Sequence, residues 1–345
     1  MTTGNARPRG AQLIGSVPLE NVEAVMTTLS DSLGQHIERL PDGELGNRSA
    51  WIRWQRAVFN KLEGKFEDVA PASDAYVQRP RLRAKDRVTA ADIDLGSLGY
   101  AEAAIESYAV FERLKGEGKI PMHVRFQVGL PAPQEPVLGH FEPDSHALMA
   151  PIYEKALMSE LQQILDDIPH DQLAIQWEVV YQFAILEDAY ETIMTDPWTE
   201  IPARSAALAD AVPEPVQVGY HFCYGDSDHR HFKEPADMGI MVHVANGIVA
   251  NVKRHITWMH MPVPIDRSDD VYFAPLKDMK LQSGTGFYLG LIHNTDGLDG
   301  AQARVDAAAK SCSNFGISTE CGLSRRPVET VALLLQIHTQ LADPR

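Results

Sequence analysis

His221 and Cys223 flank a single residue in VGYHFCYGD, and Cys321 follows far downstream in ISTECGLSRR. Zinc takes thiolate and imidazole ligands, and alternate residues of a strand project from one face. His221 and Cys223 can therefore reach one ion together, with Cys321 arriving from another strand. The close cysteine pairs of a zinc finger are missing. Ligands scattered over so long a stretch fit a site assembled at the mouth of a barrel. A plainer explanation stands beside this one. The chain has only three cysteines, and free cysteine is among the most buried residue types. Cys312, in VDAAAKSCSNF, falls in an apparent helix and reads as a packing residue.

Positioning such ligands requires a regular scaffold. Short apolar runs over 11–17, 35–41, 122–130, 173–180, 215–223, 255–261, 286–293 and 315–321 read as strands. Between and after them, helical periodicity runs through ENVEAVMTTLSDSL, ALMAPIYEKALMSELQQILDDI, AQARVDAAAKSC and PVETVALLLQIHTQL. Strands alternating with helices predict an α/β fold with a parallel sheet, and eight strands close a (β/α)8 TIM barrel. A doubly wound open sheet is the alternative, although no GxGxxG follows the first strand.

The domain expectation is one catalytic barrel over 1–345, interrupted after its second strand-helix unit by an insertion, a lid or hairpin, over 61–99. That stretch is polar, proline-punctuated and locally basic. Arg79, Arg81, Arg83, Lys85 and Arg87 suit either the attraction of an anionic substrate tail or a solvated face.

Composition narrows the function classes. A net charge of −16 over 345 residues argues against nucleic-acid binding, which needs a positive footprint. No apolar run is long enough to span a bilayer, so no membrane role is expected, and the first residues lack a signal-peptide stretch. With so few cysteines the expected compartment is the cytoplasm, where thiols stay reduced. A mixed polar surface gives no reading of oligomeric state.

Ser16, Glu44, Glu178, His221, Cys223, His260, His293 and Cys321 all fall at or just after the carboxyl ends of the expected strands. That rim is where barrel enzymes build active sites. Trp51, Trp54, Trp177, Tyr224 and Trp258 lie nearby and suit stacking on a planar substrate or simple packing.

Six motifs in order resemble the catalytic barrel of cobalamin-independent methionine synthase: LIGSVP, LPDGELGNRSAWIRW, IQWEVV, HFCY, LIHN and STECGLSRR. The resemblance implies that His221, Cys223 and Cys321 ligate Zn2+. It places Ser16, Glu44 and Glu178 around the amino-acid portion of a thiol substrate, with glutamate at 178 where the family has aspartate. It matches His293 to a histidine that assists proton delivery. Counting along HITWMHMPV puts His260 where the family has a glutamate ligand, so His260 is the expected fourth ligand, unless it points away and leaves that position to water or substrate.

The resemblance covers one barrel without the family's extra N-terminal one, and no folate-binding motif is evident. The implied activity is zinc-dependent transfer of a methyl or other alkyl group from a small-molecule alkyl donor to a small-molecule thiol. Zinc acting as a Lewis acid on an epoxide or other polar metabolite is the second possibility. A non-catalytic zinc-binding barrel is the third.

Overall fold

The run LAIQWEV at Leu173–Val179 is buried at every position, as a parallel strand covered on both faces requires. A computed structural model, describing residues 7–73, 76, 78–226 and 230–345, arranges nine strands among those residues. They are β1 (Arg39–Pro41), β2 (Phe66–Val69), β3 (Arg81–Ala84), β4 (Arg125–Pro131), β5 (Leu173–Val179), β6 (Gln217–Phe222), β7 (Trp258–Pro262), β8 (Gly286–Ile292) and β9 (Gly316–Thr319). Seven form one curled parallel sheet in the order β1-β4-β5-β6-β7-β8-β9. The order never reverses, so the sheet lacks the switch point of a doubly wound fold.

Helices cover the outside. Val22–Leu33 precedes β1, and Tyr100–Gly116, Pro143–Asp167, Pro197–Asp210, Gly239–Asn251, Gly297–Ala308 and Val331–Leu341 follow later strands. The first begins where the Asn21 side chain accepts from the Ala24 amide at 2.9 Å, capping an otherwise unsatisfied donor. Between β7 and β8 only the short helix Asp270–Phe273 and the 3-10 turn Ala274–Asp278 intervene. No helix among the described residues is long and apolar enough to cross a membrane.

The segment expected as the first strand, 11–17, makes isolated parallel bridges rather than a ladder. Ala11 bridges Ile317 of β9 and Ser16 bridges Gly43 just past β1, so the segment touches both edges of the sheet. Its carbonyls explain why no ladder forms. Leu13 O accepts from Gln12 and Gln127 side chains, both at 2.9 Å. Ile14 O accepts from Gln127 at 2.9 Å and Gln176 at 2.6 Å. Side-chain amides thus take the place of backbone partners.

Beneath this seam lies a buried, hydrogen-bonded polar cluster. The buried Arg39 guanidinium donates to Gln12 at 3.0 Å, Gln217 at 3.1 Å and Tyr288 at 3.2 Å. It also lies 4.3 Å from the Trp258 ring centroid, a cation–π contact. Gly219 makes room for that ring, since a Cβ there would overlap the indole. Trp258 and Trp177 are fully buried and serve as packing.

Residues 61–99 contain the antiparallel hairpin β2–β3, paired from Phe66↔Ala84 to Val69↔Arg81. Leu82 of its second strand bridges Phe141. Of the basic run, Arg83 ion-pairs with Asp144 at 2.9 Å and Glu142 at 3.3 Å.

Candidate metal centre and its cavity

β6 ends with His221 and Phe222 and is followed by Cys223, so the histidine and cysteine share a face one residue apart. Cys321 comes two residues after β9. The three ligand atoms lie within 4.8 Å of one another, with Cys223 Sγ 4.0 Å from Cys321 Sγ and Cys321 Sγ 3.8 Å from His221 Nε2. Bond lengths of about 2.3 Å to sulfur and 2.0–2.1 Å to nitrogen separate tetrahedral zinc ligands by roughly 3.6–3.8 Å. The donor set and its spacing therefore fit zinc, and two thiols with an imidazole favour it over magnesium or calcium. The neighbouring Cys321 thiol and burial push the Cys223 thiol well above its ordinary range, so ionisation there calls for a compensating cation.

His260 stands beside His221 in strand register but outside the cluster. Its Nδ1 lies 2.8 Å from His221 Nδ1, and its Nε2 lies 3.1 Å from the Thr319 carbonyl oxygen. Burial lowers the His260 pKa to about 3 and holds His221 well below its usual value, so both imidazoles are neutral.

A cavity of about 710 Å³ opens over the cluster, and Ser16, Glu44, Glu178, His221, Cys223 and Cys321 all line it. Its size is that of a small-molecule site. Glu178 is the register neighbour of His221. Glu44 comes from the turn after β1, where Asp42 shapes the chain. Asp42 accepts from the Glu44 amide at 2.9 Å, from Arg48 at 2.7 Å and from Ser107 at 2.7 Å. Arg48 thus pairs with Asp42, leaving the Glu44 carboxyl directed at the cavity. The two glutamates converge over Gly129, where a Cβ would stand 2.9 Å from Glu44 Oε1 and 3.2 Å from Glu178 Oε1. Burial, Glu178 and Asp42 raise the Glu44 carboxyl well above its ordinary range. Burial and the nearby Cys321 sulfur raise Glu178.

Backbone strain collects at the same place. Glu44 has φ 46° and Trp51 has φ 53°, ψ −130°, and both line the cavity. Non-glycine residues hold such angles only where the surrounding structure imposes them.

His293 is buried but does not line the cavity. Its Nε2 lies 2.8 Å from the Val263 carbonyl oxygen and its Nδ1 3.8 Å from Glu320. Glu320 also ion-pairs with His231 at 2.9 Å, and His231 pairs with Glu234 at 2.8 Å. Glu320 and His231 escaped the sequence reading, although Glu320 adjoins Cys321. Arg325 did as well; it lines the cavity and ion-pairs with Asp226 at 3.2 Å. Of the basic run only Arg79 and Arg81 reach the cavity, and of the aromatic set only Trp51 does. Cys312 departs from expectation. Its helix stops at Ala308, and the half-buried thiol lies 3.7 Å from the Asn314 carbonyl, away from the cluster.

These observations define a parallel α/β fold whose polar groups gather at the carboxyl ends of its strands. Comparison by sequence finds no matching family model and no matching curated protein; comparison by structure is informative. A B12-independent methionine synthase from Shewanella sp. W3-18-1, solved in complex with selenomethionine, superposes with a TM-score of 0.59 at 13% identity, covering 97% of this chain and 96% of that one. A methyltransferase from Methanosarcina mazei superposes with a TM-score of 0.52 at 12% identity, covering 98% and 94%. At these identities the likeness is one of fold, and it extends over nearly the whole chain.

Proposed function

We propose that the chain is a zinc-dependent alkyltransferase acting on a small thiol that also carries an amine. In this proposal it is a single (β/α)8 barrel whose 61–99 hairpin region serves as a lid. One observation carries the proposal: the thiophilic cluster and a pair of buried carboxyls open into the same cavity.

Each element has a task. His221, Cys223 and Cys321 would hold the ion. Zinc, when bound, lowers the pKa of a coordinated thiol so that it is ionised at neutral pH. Glu44 and Glu178 accept the ammonium of the substrate. Burial raises both carboxyl pKa values and repulsion from Glu178 adds to the rise at Glu44, so the protonated form is favoured when the pair is alone. An ammonium between them removes that repulsion and lets both ionise. Ser16 Oγ offers a hydrogen bond to the same end of the substrate. Proton delivery by His293 requires it to leave Val263 and turn toward the cavity, since it now faces Glu320. The selenomethionine held by the Shewanella protein bears both an amine and a methyl on a soft chalcogen, which supports this assignment.

The test uses the purified full chain. About one zinc per chain is expected from a three-ligand site, with homocysteine bound more tightly than 4-mercaptobutyrate, its analogue without the amine. A chain that holds no zinc after reconstitution, or binds both thiols equally, refutes the proposal.

A further inference from the structure

We infer that His260 is a positioning residue, which selects the tautomer of His221 through its hydrogen bonds and leaves the metal with three protein ligands and an open fourth position. This rests on the metal centre proposed above and concerns the one expected ligand that stands outside the cluster.

A single backbone group sets the whole chain of hydrogen bonds. The Thr319 carbonyl oxygen can only accept, so the His260 Nε2 at 3.1 Å carries the proton. Fully buried between that carbonyl and the His221 ring, where a charge would be costly, His260 holds a single N–H, so its Nδ1 is an acceptor. Its partner at 2.8 Å, His221 Nδ1, must then be the donor. That leaves the lone pair of His221 on Nε2, the nitrogen that lies 3.8 Å from Cys321 Sγ. The tautomer required for metal binding is therefore selected before any metal arrives.

His260 cannot serve both purposes. Both of its ring nitrogens are engaged, and coordination through either would strand His221 Nδ1 or the Thr319 carbonyl. His260 is fully buried, where an unpaired polar group is costly. The anchor is also well held: Thr319 lies in β9, two residues before Cys321, and its hydroxyl donates to the Cys321 carbonyl at 2.7 Å. One relay thus ties β6, β7 and β9 together at the cluster. Imidazoles that bind metals ordinarily donate their other N–H to a carboxylate, carbonyl or water; here a second imidazole takes that place.

Zinc-edge X-ray absorption of the reconstituted wild-type chain decides the matter, because it counts sulfur neighbours and histidine rings without reference to turnover. Two sulfurs and one imidazole are expected, with a remaining light neighbour that a thiol replaces by a third sulfur. Chelator competition supplies the second readout. His260→Leu is expected to weaken zinc affinity by about 10- to 100-fold while keeping the two-sulfur, one-imidazole spectrum. His260→Asn, whose amide oxygen can accept from His221 Nδ1, is expected to recover most of that loss. Two imidazoles in the wild-type spectrum, or the loss of an imidazole signal in His260→Leu, overturns this inference and leaves the metal centre standing. A wild-type chain without zinc removes the metal centre itself, and the role of His260 with it. The wild-type spectrum remains decisive if a variant does not fold.

Discussion

Gly129 gives the most direct test of the carboxyl pair. Gly129 lies in β4 and its backbone is not in the left-handed region, so alanine meets no conformational penalty there. The added methyl does meet two oxygens, at 2.9 Å from Glu44 and 3.2 Å from Glu178. Both separations are tighter than an ordinary carbon–oxygen contact, so one carboxyl or both must move. The displaced atoms are the free ends of two side chains facing an open cavity and can yield, so urea denaturation of Gly129→Ala should show a loss of at most about 1 kcal/mol, the low end of overpacking costs. The second effect is on recognition. A charge-assisted hydrogen bond contributes about 1.5–3 kcal/mol, so displacing one carboxyl from an ammonium should weaken homocysteine binding by roughly 10- to 150-fold. Binding of 4-mercaptobutyrate should hardly change. Gly116→Ala, at the end of a helix with open space around its Cβ, is the control and should be neutral or stabilising. Equal weakening for both thiols, or no effect on either stability or binding, would refute the convergence of Glu44 and Glu178 on that glycine.

Other outcomes follow from the same geometry. Cys223→Ser and Cys321→Ser should each abolish stoichiometric zinc in metal analysis, whereas Cys312→Ser, outside the cluster, should retain it. Burial lowers the His231 pKa, but the Glu320 and Glu234 carboxylates outweigh it and raise the value to about 9. A raised histidine pKa gives stability that is complete below about 6.5 and is lost as pH rises through about 9. Thermal melts across that window should fall more steeply for the wild type than for His231→Gln. Arg39→Met should cost about 1–3 kcal/mol in urea denaturation, because it strips the buried Gln12 oxygen of its donor.

Much of the scaffold was legible because parallel strands buried on both faces are nearly continuous apolar runs. Seven of the eight expected strands pair as the periodicity suggests. The 11–17 segment shares that apolar signature, yet between its backbone bonds to Ile317 and Gly43 its middle is held by Gln127 and Gln176 side chains that lie far apart in sequence. Helix ends were legible only where a cap marks them. Asn21 does so, but nothing as local predicts that the helix before Cys312 stops at Ala308.

The site divides along the same line. His221, Cys223 and Cys321 meet because residue type and strand-end position together decide their placement. For His260 the strand position was readable and the direction of its hydrogen bonds was not, since a carbonyl 59 residues away sets it. His293 follows the same pattern: its partners are the Val263 carbonyl and Glu320, neither of which a local motif reveals. Glu44 and Glu178 share a cavity through the missing side chain of Gly129, a contact that only the fold brings about.

The seam at 11–17 has a consequence for inheritance. A backbone ladder survives almost any change of side chain, because each residue brings the same N–H and carbonyl. Here the Leu13 and Ile14 carbonyls are answered by side-chain amides, so the middle of the joint depends on residue identity while backbone bonds to Ile317 and Gly43 hold its ends. Leucine at 127 or 176 would preserve bulk and leave Ile14 with fewer donors, while glutamate would set an acceptor against an acceptor. Drift at those glutamines is therefore constrained although none of them lines the cavity. Ile14 and Ser16, on the segment they secure, do line it, so the tolerance of this fold to mutation and the shape of its cavity are inherited together.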